Sequence, residues 1–292
     1  MRLGIIANVT KDRKALHARR LIKWLEGRGV AVCVDERLAK DLGRLFVPLA
    51  RWPEMEVQFV LVLGGDGTLL RAARDLAPLC LPMLGINLGH LGFLTEVEIS
   101  NLYDELPMFL EGNYSRDCRH FMEASICRGD EVVSEYLALN DVVIGKGVFS
   151  RMVNIRTWVD GALMANFPAD GLILSTATGS TAYSLSAGGP VIHPELEVML
   201  VTPICPHTFY ARPVVVSRQQ LVSVRVDTRH RGAPTVTVDG NEGRSLEPGE
   251  HVEARLSDSK VTLMRHEDWN FYEVLQSKLA QSEGVQCERE DL

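Results

Sequence analysis

Apolar residues along the first third of the chain follow two alternating periods. Residues 3–9 form a mostly apolar run that reads as a buried strand, and Ala15, Ala18, Ile22 and Leu25 then recur at helical spacing until Gly27 and Gly29 interrupt them. Residues 30–34 read as a second strand, and residues 59–63 are a compact apolar run suited to a parallel-sheet core. A glycine turn follows, then a helix over 69–77 closed by Pro78, then a strand over 83–87. This alternation predicts an α/β domain built on a doubly wound parallel sheet.

From about residue 116 the pattern turns to short strands. Residues 152–159 and 162–167 flank Asp160-Gly161, a strong two-residue hairpin signal. Further strands are predicted at 214–216, 221–226, 235–238, 252–256 and 261–264. Asp268 stands where it could cap a last helix whose Phe271, Val274, Leu275 and Leu279 share an apolar face, with the first domain as its expected partner. The polar residues 286–292 read as a frayed end. The expected division is an α/β domain of 1–115 with 265–292, carrying the glycine loop, and a β-rich domain of 116–264.

A chain of 292 residues suits two domains, and 46% hydrophobic residues can build a core for each. A net charge of −7 argues against nucleic-acid or anionic-membrane surfaces, which need clustered Lys and Arg. No apolar run is long enough for a membrane helix, and residues 1–9 pass too soon into basic polar sequence for a signal peptide, so a cytoplasmic protein is expected. The six cysteines (Cys33, Cys80, Cys118, Cys127, Cys205 and Cys287) are widely spaced with no CxxC pair, and read as reduced, mostly buried thiols. No histidine pair has metal-ligand spacing, so no structural zinc is expected; His90 and His207 lie within motifs and read as orienting or packing residues.

Three stretches carry candidate chemistry. Gly64-Gly65-Asp66-Gly67-Thr68 follows a strand and opens a helix. Its glycines allow a sharp turn and close ligand approach, and helix-start N–H groups favour phosphate, making Gly64, Gly65 and Thr68 phosphate-binding candidates. Asp66 in such a loop suits proton abstraction from an attacking hydroxyl or metal binding, against the plainer role of a helix cap. Arg71 is either a phosphate partner or a solvated helix arginine. The first strand lacks GxGxxG, so the usual dinucleotide fingerprint of a dehydrogenase is missing. The second stretch, residues 85–95, leaves another strand of the same sheet; its Phe93 could stack on a base or join the core. The third, residues 170–190, packs glycines and small hydroxyl residues densely enough to read a nucleoside.

Together, GGDG, NLGHLGF, Asn140-Asp141, Asp170-Gly171-Leu172, Thr178–Tyr183 (TGSTAY) and Gly188-Gly189-Pro190 resemble the bacterial NAD kinase family, as do Thr202–Thr208 and Arg212-Pro213. The resemblance implies phosphorylation of the adenosine-ribose 2′-hydroxyl of NAD to give NADP, with ATP or polyphosphate as donor, a divalent cation such as Mg²⁺, and a homo-oligomer. It implies Asp66 as general base, with Gly67 lining the loop. Asn140, Asp141, Arg151, Pro168, Asp170 and Asn241 fall at NAD-contacting positions, and Thr181, Ala182, Tyr183, Ser184, Leu185 and Ser186 would wrap the nucleoside. Asp170 could act from a neighbouring subunit. Three positions depart from the family pattern: Asp141 stands where Glu is commoner, Pro168 where a charged residue often stands, and Asn241 where Gln is usual. The Asp66→Asn substitution is expected to leave folding and NAD binding largely intact while turnover collapses. Rival readings are a lipid or sphingoid-base kinase sharing the GGDG loop, and a non-catalytic dinucleotide sensor.

Overall fold

The computed structural model describes residues 1–89, 92–147, 152–208, 210–227 and 233–283. The chain divides into two compact units, Met1–Asp117 with Thr262–Leu292, and Cys118–Val261.

The first unit is built on a parallel sheet in the order Met83–Asn87, Val60–Gly64, Arg2–Ala7, Ala31–Val34. Val97–Glu98 pairs with Met83–Asn87, and Leu263 comes into parallel register with Met83. Strand residues alternate between faces. Leu3, Ile5, Leu61, Leu63, Leu84 and Ile86 share one apolar cluster with Leu21 and Leu25 of the helix Leu16–Glu26 and with Leu102 and Leu106 of the helix Leu102–Glu111. Gly4 and Gly85 lie on the opposite face. A Cβ on Gly4 would sit 2.2 Å from the Trp52 ring, and one on Gly85 would sit 2.5 Å from Leu69 Cδ1. Leu69 belongs to the helix Asp66–Leu76, so both faces of the sheet are covered, as the alternation predicts.

The glycine-loop helix begins at Asp66, three residues before the predicted start. Gly65 is its extended N-cap, and Gly67 and Thr68 are already helical, so the turn is shorter than its glycines suggest. Besides the single turn Tyr183–Ser186, two helices escape the sequence pattern. Glu36–Leu42 is short and is capped by Asp35, which accepts the Leu38 N–H at 3.2 Å, and Leu102–Glu111 contains Pro107, a residue that ordinarily argues against a helix. The last helix is Phe271–Glu283, and its first turn is capped by Asn270, which accepts the Tyr272 N–H, rather than by Asp268. Phe271 is buried, whereas Leu279, placed on the same face by periodicity, is exposed.

The second unit is β-rich and antiparallel. One sheet runs Val214–Ser217, Val198–Ile204, Gly171–Thr176, Asp141–Gly145, Thr235–Val238, Glu242–Ser245. The predicted hairpin forms between Val153–Val159 and Ala162–Ala169, with Asp160 and Gly161 both at positive φ, as a two-residue primed turn requires. The long hairpin of Ser115–Arg128 and Glu131–Ala138 was not predicted, because its alternation is diluted by charged residues on the outward face. The strands predicted at 252–256 and 261–264 are one, Glu250–Arg265; the exposed residues Asp258, Ser259 and Lys260 produce the gap in the pattern. One apolar cluster, with Ile144, Leu172, Leu174, Val201, Val224 and Val252 among its members, fills this unit.

Cys33, Cys80, Cys127 and Cys205 are free thiols; among the described residues only Cys33 and Cys127 are buried and Cys80, Cys118 and Cys205 are exposed, so the described cysteines are not mostly buried, and Cys287 lies outside the described residues. Cys80 and Cys205 occupy loop positions with positive φ.

Candidate active site

In the first unit, three loops leave the carboxyl ends of neighbouring parallel strands, the usual place for ligands on such a sheet. The loop after Arg2–Ala7 is organised by Asn8. Its Oδ1 accepts the Thr10 N–H at 3.1 Å, the Thr10 hydroxyl at 2.6 Å and the Lys11 N–H at 3.2 Å, and its Nδ2 donates to Thr68 Oγ1 at 3.1 Å. Thr68 is buried, and its side chain sits 2.3 Å from where a Gly64 Cβ would be, so both residues shape the loop from inside. The same arrangement brings Lys11 Nζ to 3.3 Å from the Cβ position of Gly65. Lys11 is exposed and no carboxylate pairs with it among the described residues. Sequence reasoning missed this ammonium; the signal was Asn8-x-x-Lys11 directly after the first strand.

Asp66 faces the loop after Met83–Asn87. Its Oδ2 accepts the Phe93 N–H at 2.8 Å, and its Oδ1 accepts those of Leu94 and Thr95, each at 3.2 Å. Gly92 must be glycine here, because a Cβ would lie 1.9 Å from Asp66 Oδ1. On the carbonyl side of this turn, the fully buried Arg265 donates to the Phe93 carbonyl at 3.1 Å and the Leu94 carbonyl at 3.3 Å, and also to Glu96 at 2.9 Å and Asp117 at 3.0 Å. A carboxylate has about four acceptor positions. Three on Asp66 are taken, which leaves one. Gly67 is exposed with open space before it, and Asn87 is buried with its Nδ2 unpartnered. Phe93 is half-buried and belongs to neither apolar cluster. Arg71 is half-buried; burial and then Arg37 pull its pKa down, opposed by Asp35 and Asp75, so electrostatically it belongs to that mixed cluster. His90 lies outside the described residues.

In the second unit, Asp239 does for the Asn140 turn what Asp66 does for the Gly92 turn. Its carboxylate accepts the N–H groups of Leu139 at 3.2 Å, Asn140 at 2.8 Å and Asp141 at 3.1 Å. The TGSTAY segment packs against the same turn. Thr176 donates its N–H to the Asn140 carbonyl at 2.9 Å and its hydroxyl to Leu139 O at 2.6 Å, and a Gly179 Cβ would fall 2.0 Å from Asn140 O. The structure thus brings Asn140, Asp141 and residues 178–186 together.

Within that segment the side chains divide. Ser184 is buried and hydrogen-bonds Thr202 at 2.8 Å, and Thr181 donates to Thr178 O at 3.2 Å. Tyr183 and Ser186 are exposed, and Ala182 and Leu185 are half-buried. Asp170 is paired with Lys146 at 2.7 Å, a partner the sequence did not reveal. Pro168 lies exposed on a strand and accepts the His207 N–H at 2.9 Å, and Asn241 is exposed with its Nδ2 donating to Asp239 O at 3.2 Å. Arg151 lies outside the described residues.

Asp141 is buried, and its carboxyl is pushed up to about 7, first by burial and then by the Asp239 charge.

A glycine turn opening a helix at the carboxyl ends of a parallel sheet, with a carboxylate and an ammonium beside it, suits a protein that handles nucleotide phosphates. The comparisons specify which. Residues 3–114 match the ATP-NAD kinase N-terminal domain and residues 139–266 the ATP-NAD kinase C-terminal domain. The chain is similar to the NAD kinase of Moorella thermoacetica, 44% identical over 95% of this chain and 89% of that protein, and to that of Natranaerobius thermophilus, 38% identical over 97% and 99%. Among solved structures it resembles an NAD kinase from Archaeoglobus fulgidus in complex with ATP, with TM-score 0.73 and 25% identity over 98% of this chain and all of that one. The fold also matches yeast NADH kinase, with TM-score 0.82 and 23% identity over 99% and 90%. The chain belongs to the NAD kinase family, and its activity is the ATP-dependent phosphorylation of NAD to NADP.

Because the Asp141 pKa is raised on folding, the folded protein holds a proton between about pH 4 and 7 that the unfolded chain has released. Stability therefore falls as pH rises through this window and levels off above it. Asp141→Asn, which mimics the protonated form, should stabilise the protein at pH 8 by on the order of 2 kcal/mol, with the gain shrinking toward pH 5. Unfolding midpoints measured at both pH values check this; an equal gain at both would contradict it.

Proposed function

We propose that Asp66 is the general base of the reaction. The adenosine-ribose 2′-oxygen attacks the γ-phosphorus of ATP, its proton passes to the Asp66 carboxylate, and the bond from the γ-phosphorus to the β,γ-bridging oxygen breaks to release ADP. The observation that carries this reading is the single acceptor position left on Asp66, held in place by three N–H bonds to the Gly92 turn. Those bonds fix the orientation of the carboxylate, and orientation is what this geometry contributes to the reaction.

The Asp66 N–H and Gly67 N–H, both at the unpaired start of a helix, suit the phosphates, as do Lys11 and the orphan Nδ2 of Asn87. Gly64, Gly65 and Thr68 shape that loop. The residues around Asp66 do not form a metal cage: three of its acceptor positions are taken, and no second carboxylate of the described residues is hydrogen-bonded to this turn on its N–H side. The divalent cation, Mg²⁺ in our reading, therefore arrives as part of the metal–ATP substrate. Asn140 and Asp141 hydrogen-bond NAD, and Thr181, Ala182, Tyr183, Leu185 and Ser186 present backbone and side-chain groups to its nucleoside. Ser184 stabilises that segment from within through Thr202. Arg151, Pro168, Asp170 and Asn241 complete the NAD contacts. The β-rich residues 116–264 are the NAD-binding domain in this reading. A homo-oligomer and a cytoplasmic setting belong to the same reading, supported by the family resemblance; no helix among the described residues is long and apolar enough to cross a membrane.

Asp66→Asn should lower kcat by about 10²- to 10⁴-fold while NAD affinity changes little. It will not be silent for folding. An amide offers one oxygen in place of two and turns an NH₂ toward the N–H groups of the 93–95 turn, so the unfolding midpoint should also drop. Turnover within tenfold of wild type would overturn the base assignment. Lys11→Ala should raise the KM for ATP by about tenfold, the scale of one charge-assisted hydrogen bond, leaving the KM for NAD nearly unchanged. An unaltered KM for ATP would remove Lys11 from the phosphate site.

A further inference from the structure

Spacing along the chain gave no metal cluster, but strand pairing assembles one. The strands Ser115–Arg128 and Glu250–Arg265 are neighbours, and His120 meets Ser257 O at 2.9 Å while Arg255 Nε donates to Glu123 at 3.1 Å. As numbering rises on one strand it falls on the other, so Cys127 comes level with residues 251–253. Alternation puts His251 and Glu253 on the face that carries Arg255, and Cys127 on the face that carries Glu123. The pairing with Glu131–Ala138 shifts register at Cys127, where Val133 is the extra residue of the partner strand.

We infer a transition-metal site of the Zn²⁺ type, formed by Cys127, His251 and Glu253 in the second unit. One ligand atom from each residue lies within 4.8 Å of the others, and His251 Nε2 is already 3.3 Å from Glu253 Oε1. Bonds of about 2.0–2.3 Å in a tetrahedron place donor atoms roughly 3.3–3.8 Å apart, so the cluster needs a contraction of no more than about 1.5 Å, within reach of side-chain rotation. A thiolate, an imidazole and a carboxylate are the donors that Zn²⁺ accepts and that Mg²⁺ does not favour.

Cys127 and His251 are buried, whereas Glu253 is about a third exposed, steadied by Ser223 Oγ at 3.3 Å, and borders a cavity of about 590 Å³ that Glu123, Glu135 and Arg255 also line. The ion therefore has an entry on the Glu253 side, and a water from that side completes the tetrahedron. Burial and then Glu253 and Glu135 push the Cys127 thiol up, so the metal-free site holds a neutral thiol. Binding forms the metal–sulfur bond and releases the thiol proton to solvent, with no change of oxidation state.

Purified full-length protein, stripped with chelator and titrated with Co²⁺ alone, tests the inference, since Co²⁺ reports thiolate ligation as near-ultraviolet charge-transfer absorption. The band should saturate at one equivalent and disappear when one equivalent of Zn²⁺ is added. Cys127→Ser should abolish it, and His251→Gln and Glu253→Gln should each weaken Co²⁺ binding at least tenfold, with circular dichroism unchanged. Absence of saturable binding would overturn the site. So would a wild-type band in Cys127→Ser, which would point to another cysteine. If Cys127→Ser does not fold, His251→Gln and Glu253→Gln decide, and wild-type affinity in both contradicts the site.

Discussion

The turn from Gly92 to Glu96 is gripped from two sides. Asp66 accepts its N–H groups and Arg265 donates to its carbonyls, so a loop of a few residues lies between two opposite charges. Arg265 is fully buried with Glu96 and Asp117, and a guanidinium in that setting is tolerable only when every donor is matched. Because the turn fixes Asp66 and Asp66 fixes the turn, the carboxylate cannot swing freely. A carboxylate that is to meet one hydroxyl must be held in place, and this arrangement holds it. The GGDG and LGF motifs are therefore one device: the acid in the first needs the glycine in the second.

The second unit repeats the idea with different residues. Asp239 takes three successive N–H groups of the Leu139-Asn140-Asp141 turn, and Gly179 lets the TGSTAY segment approach the Asn140 carbonyl more closely than any side chain would permit. The cost falls on Asp141, whose carboxyl is buried beside a fixed negative charge. That burial ties a residue of the proposed NAD site to proton concentration near neutrality.

Much of this was legible in the sequence, for physical reasons. The inner parallel strands of the first unit are buried on both faces, so their apolar runs stand out, and Asp160-Gly161 names its own hairpin through the positive φ it must adopt. The Asn140 turn and residues 178–186 could be recognised as motifs, yet nothing in their order shows that Gly179 rests on Asn140. Asp239, Lys146 and Arg265 were missed because each acts through a partner far away in the chain. The long strand Glu250–Arg265 was divided in two by its exposed middle, and the helix containing Pro107 was hidden by that proline. Spacing along the chain could not bring Cys127, His251 and Glu253 to notice for the same reason: they meet only through strand pairing.

The central claim is that the carboxylate held by the Gly92 turn is the group that meets the ribose. A crystal structure with NAD and a non-hydrolysable ATP analogue tests it most directly. The account predicts the 2′-oxygen within hydrogen-bond reach of Asp66 Oδ2, about 3 Å, with the N–H bonds from residues 93–95 intact. An Asp66 side chain still on those three bonds, with the 2′-oxygen well beyond reach and another group beside it, would contradict the account.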